Sequence, residues 1–95
     1  MKRSDISDHE ALAACTPWGG HENDDREPLH GFAPWQNGSA IQRLQHEDRY
    51  PFKVVVAKLE HLGERGLIDW GVSLNFPWRT PEGEALLEQL RKDAQ

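Results

Sequence analysis

The side chains of this sequence able to do covalent or metal chemistry are one cysteine, Cys15, and five histidines: His9, His21, His30, His46 and His61. A nucleophilic thiol needs a base within hydrogen-bond reach, and no spacing here brings a histidine to Cys15. Zinc would need donors converging on one point. Cys15, His21 and His30 with Asp24 or Asp25 could supply them, but the spacing C-x5-H-x8-H matches no common structural zinc motif. Cys15 also falls at the end of a predicted helix, facing a core. These residues point away from an enzyme and call for no metal or cofactor. What remains is recognition without chemistry.

Two sets of residues suit recognition. The first is Arg49, Lys53, Lys58 and His61, with Ala57 on the same helix and Asn75 and Arg79 further along. Lys and Arg meet phosphates and guanine edges, so this set fits duplex DNA, with Asn75 and Arg79 by the minor groove or a phosphate. Glu60 and Glu64 flank that face, and no Arg, Asn or Gln lies between Phe52 and Glu64. The second set is Trp18 with Glu22, Asp24, Asp25 and Glu27. An aromatic anchor ringed by acids suits a basic, nucleic-acid-binding protein, whose channel a run of carboxylates could occupy in place of phosphates.

Charge bears on both. Sixteen acidic side chains outnumber eleven basic ones. The excess lies in front: residues 1–48 carry four basic and nine acidic side chains, residues 49–95 seven of each. A non-specific nucleic-acid binder is broadly basic, because phosphate contacts supply most of its affinity. This chain is not. Its 95 residues make one small domain with a modest core. No apolar run is long enough to span a membrane, and Met1-Lys2-Arg3-Ser4-Asp5 has no apolar stretch behind its charges, so neither a membrane anchor nor a secretory signal is expected. A lone cysteine fits a reducing, cytoplasmic setting.

Several elements must position these residues. Ser7 and Glu10 form a capping-box pattern opening a helix over 8–15, with Leu12, Cys15 and Ile6 towards the core and Pro17 ending it. Residues 16–38 show no period and read as a long loop, with Phe32 and Trp35 on the core and Asn23 to Arg26 as a solvated tip. Ser39 caps a helix from Ala40 to about His46, with Ile41 and Leu44 inward. Pro51 opens the next helix, whose apolar stripe is Phe52, Val55, Leu59 and Leu62. Gly63 and Gly66 can end it. Residues 67–72 alternate as a strand, Trp78-Arg79-Thr80 returns, and Trp70 and Trp78 are placed to pair across the two. Thr80 caps and Pro81 starts a closing helix with Leu86, Leu87 and Leu90 buried.

Helix, turn, longer helix, ribbon and closing helix is the order of a winged helix-turn-helix, an α+β fold. Residues 51–90 resemble that superfamily, the MarR- and PadR-like transcription regulators in particular. Leu59-x-x-Leu62-x-x-Arg65-Gly66-Leu67-Ile68 looks like their recognition helix running into the first wing strand. Trp78-Arg79-Thr80-Pro81-Glu82-Gly83-x-x-Leu86-Leu87 is similar to the second wing strand and following helix. The stretch from Pro51 to Leu74 also resembles small, uncharacterised winged-helix proteins of phage and bacterial genomes. The resemblance implies one winged-helix domain over 1–95, with helix-turn-helix, wing and closing helix in 39–93. It implies a non-enzymatic macromolecular binder. A small phage- or prophage-type DNA-binding regulator is the first reading, because the fold most often serves it. A protein-binding inhibitor or adaptor acting through the acidic front half is the second. Homodimerisation is open under both.

Overall fold

A computed structural model describes residues 5–18, 26, 39–46, 49–71 and 77–93. In chain order the elements are α1 (Asp8–Ala14), α2 (Ala40–Gln45), α3 (Phe52–Glu64), β1 (Ile68–Asp69), β2 (Trp78–Arg79) and α4 (Pro81–Asp93). Among the described residues this is an α+β fold of four helices and a two-stranded antiparallel ribbon. Phe32, Trp35, Val72 and Asn75 lie outside them.

Seven residues are too few to hold a helix in water, so α1 exists by docking. It packs against α2, α3 and α4 alike. Ser7 caps it, its hydroxyl accepting from the Glu10 amide at 3.0 Å. The reciprocal half of the expected capping box does not form, because the Glu10 carboxylate turns outward to Arg49 and Tyr50. The buried face is also wider than its large residues suggest. Ala11 and Ala14 join Ile6, Leu12 and Cys15 in the core, small enough to let neighbouring helices approach.

α2 opens on the full capping box: the Ser39 hydroxyl accepts from the Gln42 amide, and the Gln42 side chain accepts from the Ser39 amide. Ala40, Ile41 and Leu44 face in. Pro51, expected at the first helical position, is instead the N-cap, and α3 begins one residue later at Phe52. The buried stripe of α3 is Val55, Lys58, Leu59 and Leu62. Phe52 is not part of it: at 55% exposure it overshoots the core on the first turn. Gly66 ends α3 at φ +76°. The Gly66 amide donates to Gly63 and the Leu67 amide to Leu62, both at 3.0 Å, which returns Leu67 to the core.

The ribbon is shorter than expected and differs in register. Ile68 opposes Arg79 and Asp69 opposes Trp78. Trp70 therefore does not face Trp78; its ring lies on Gly63 of α3, and Trp78 lies over Gly71 instead. A shift of one residue exchanges the two faces of a strand, so Arg79 points into the core and Trp78 outward. The far edge of β2 is used too. Thr16 forms a parallel bridge to Trp78, donating to Pro77 at 3.2 Å and accepting from Arg79 at 2.8 Å.

Thr80 joins three elements. Its hydroxyl accepts from Gly83 at 3.1 Å and donates to Gly66 at 2.7 Å, while its amide donates to Leu67 at 3.1 Å. Leu87 is buried, whereas Leu86 and Leu90 are half-buried at the margin. Gly83 sits so close to β1 that a Cβ would overlap the Leu67 carbonyl. Replacing Gly83 by Ala should therefore cost about 3 kcal/mol despite the better helix propensity of alanine. Thermal melts of the two proteins would show it, and an unchanged or raised Tm would contradict this packing.

Candidate interaction site

Of the cations expected as groove contacts, Lys58 and Arg79 are buried inside the molecule and Arg49 is paired at its surface. Lys58 is buried on the inner face of α3, with its ammonium 2.6 Å from Asp8. Arg65 reaches the other oxygen of the same carboxylate at 3.0 Å. Arg49 pairs with Glu10 at 2.7 Å, and the Tyr50 hydroxyl donates to the second Glu10 oxygen at 2.6 Å. The two acids of the first turn of α1 thus hold α3 and the turn before it. Burial works to raise the Asp8 carboxyl, but the hydrogen bonds and charges of Lys58 and Arg65 outweigh it and hold the group below its ordinary value. Tyr50 moves the other way, its hydroxyl raised first by the bond to Glu10.

Arg79 is the larger correction. It is wholly buried, and its guanidinium donates to the Cys15 carbonyl from Nε at 3.3 Å and Nη2 at 3.2 Å. Nη1 faces the Glu84 carboxylate at 3.3 Å. Arg26, expected on a solvated tip, is buried as well and donates to the Ala14 carbonyl at 2.9 Å. Two guanidiniums therefore satisfy the carbonyl end of α1, where the helix dipole is negative. Neither Lys58 nor Arg79 can meet a phosphate without leaving the core.

Four of the expected contacts stay near the surface. Arg49 is exposed although paired with Glu10, Lys53 is exposed on the first turn of α3, and Ala57 and His61 are partly covered. Asn75 lies outside the described residues. The outer face of α3 also carries Glu60 and Glu64, both exposed.

Trp18 holds the other candidate site. It is 54% exposed, with its amide fixed to Glu84 at 3.1 Å. Beside it opens a groove of about 530 Å³ lined by Pro81, Glu84, Ala85, Glu88 and Arg91. Of the acids expected around it, Glu22, Asp24, Asp25 and Glu27 lie outside the described residues. The carboxylates that sequence reasoning did not place there, Glu84 and Glu88, come from α4. Their i, i+4 spacing puts them on one helix face, but nothing local ties that face to Trp18.

Cys15 is buried, donates to the Ala11 carbonyl at 3.3 Å, and has its thiol pushed up to about 12 by burial, which the charges of Arg79 and Arg26 only partly offset. It packs as a small apolar side chain. Among the described residues no cluster of His, Cys, Asp and Glu could hold a metal, and no helix is long and apolar enough to cross a membrane. Set against known proteins, the chain matches no family model, no curated protein and no solved structure.

A carboxyl held below its ordinary value stabilises the fold above the unfolded-state value and loses that contribution as pH falls through the folded-state value. The stability gap between the native protein and Asp8→Asn should therefore be full at neutral pH and shrink below about pH 4. Urea titrations at several pH values test it, and a gap independent of pH would contradict the pairing. Arg79→Met should cost about 3 kcal/mol, because it strands the Cys15 carbonyl and removes the cation beside Glu84. Loss comparable to an exposed arginine, under about 0.5 kcal/mol, would place Arg79 on the surface.

Proposed function

We propose that this chain is a non-enzymatic protein-binding module on a winged-helix-like scaffold, with Trp18 as the anchor of its contact surface and a cationic protein as its partner. The scaffold reading draws on the order of the elements and on the resemblance carried by Leu59 to Ile68 and Trp78 to Leu87. The observation that carries the functional reading is the fate of the charges. Lys58 and Arg79, the cations a groove-binding helix and wing would present, are buried against Asp8 and Glu84, while a half-exposed tryptophan stands in an open groove.

A large aromatic ring anchored at its backbone is the usual centre of a binding hot spot, since it covers area with little side-chain entropy to lose. Glu84 and Glu88 line that groove beside Arg91 and are paired with Arg79 and Lys92, so the preference for a basic surface rests on Glu22, Asp24, Asp25 and Glu27, which follow Trp18 in sequence. The regulator reading rests on Lys53 and the open first turn of α3, which holds no acidic residue. Glu60 and Glu64 on the same helix would face phosphates and repel them.

One comparison separates the two. An Arg- and Lys-rich peptide titrated into the ¹⁵N-labelled chain should shift the Trp18 indole resonance, and Trp18→Ala should weaken binding about tenfold without lowering Tm. Mixed-sequence duplex DNA at low salt should give no mobility shift. A duplex shift that falls steeply with salt and disappears in Lys53→Glu, with Trp18 silent, would replace this reading by DNA binding.

A further inference from the structure

The buried stripe of α3 leaves an opposite face of Lys53, Ala57, Glu60 and Glu64, with Phe52 and Val56 along one side. On that same side Trp70 lies across Gly63. The charge on this face is ordered: a cation near the start of the helix, a small residue at the middle, carboxylates near the end. Such a face is complementary to itself when reversed.

We propose that two copies of this chain meet through the outer face of α3, antiparallel, about a two-fold axis passing near Ala57. Helical rise sets the register. Lys53 lies about 6 Å from Ala57 along the axis and Glu60 about 4.5 Å on the other side. Reversal therefore brings each Lys53 level with Glu60 of the other copy, forming two equivalent ion pairs. Phe52 lies about 7.5 Å out and Gly63 about 9 Å out on the opposite side, so each Phe52 meets the Trp70 ring of the other copy. That contact gives the exposed phenyl an apolar cover, and Ala57 lets the two helices come close. A parallel arrangement would instead set lysine on lysine and acid on acid. The contact is one helix wide, so affinity in the micromolar range is expected. This inference is independent of the Trp18 groove.

Sedimentation equilibrium of the full chain across micromolar concentrations at low salt tests it. The native chain should show a reversible dimer. Lys53→Glu and Glu60→Lys should each weaken it about tenfold by setting like charges together, and the double variant K53E/E60K should restore it. Phe52→Ala should weaken it with Tm unchanged. A monomer at every concentration overturns the proposal, as would a dimer indifferent to the single changes or a double variant no better than either one.

Discussion

Everything in this fold is arranged around the need to keep seven residues helical. α1 has too few turns to stand alone, yet its apolar side is shared by α2, α3 and α4. Apolar contact fixes its position but leaves two polar ends. Asp8 and Glu10 at the start are met by Lys58, Arg65, Arg49 and Tyr50; the carbonyls of Ala14 and Cys15 at the finish are met by Arg26 and Arg79. The carboxylates at the start and the guanidiniums at the finish sit where the helix dipole favours them. The exposed pair of Arg49 and Glu10 contributes about 0.5 kcal/mol. Lys58 and Arg79 matter differently, because a buried charge deprived of its partner is far more costly than the pair is favourable.

That arrangement limits what the surface can do. A chain with eleven basic side chains has few to spare, and the structure places at least Arg26, Arg49, Lys58, Arg65 and Arg79 against its own carbonyls and carboxylates. Of these, Arg26, Lys58 and Arg79 are buried. The surface keeps its aromatic groups instead: Trp18 beside α4 and Phe52 at the start of α3, each about half exposed.

The framework was legible in the sequence because its signals are local. Ser7, Ser39 and Thr80 cap the helices they were expected to cap, Gly66 ends α3, and Pro81 begins α4. The partners of Arg49, Lys58 and Arg65 were not legible, since each is set by a contact some forty to sixty residues away, as Arg49 is by Glu10 and Lys58 by Asp8. One signal was present and passed over. Lys58 stands three residues after Val55 and four before Leu62, inside the apolar arc, where a lysine must find an acid. Phe52 shows the converse: it continues the stripe on paper but lies a turn beyond the elements that cover it. Arg79 was misplaced by register, because a strand of alternating residues gives no sign of which set faces inward until its neighbour is fixed.

Glu84 ties the inside of the molecule to its proposed contact surface. Its carboxylate holds the buried Arg79 and also accepts the Trp18 amide, so the backbone that carries the exposed ring is tied to the same brace that closes the carbonyl end of α1. A backbone held in this way need not be ordered on binding, and pre-organisation of this kind raises affinity without added area. The other end of α1 is bound to α3 through Asp8 and Lys58. Two copies joined through α3 would carry two Trp18 grooves. The second would then engage a repeated basic target at a high effective concentration, and a groove of modest strength would suffice.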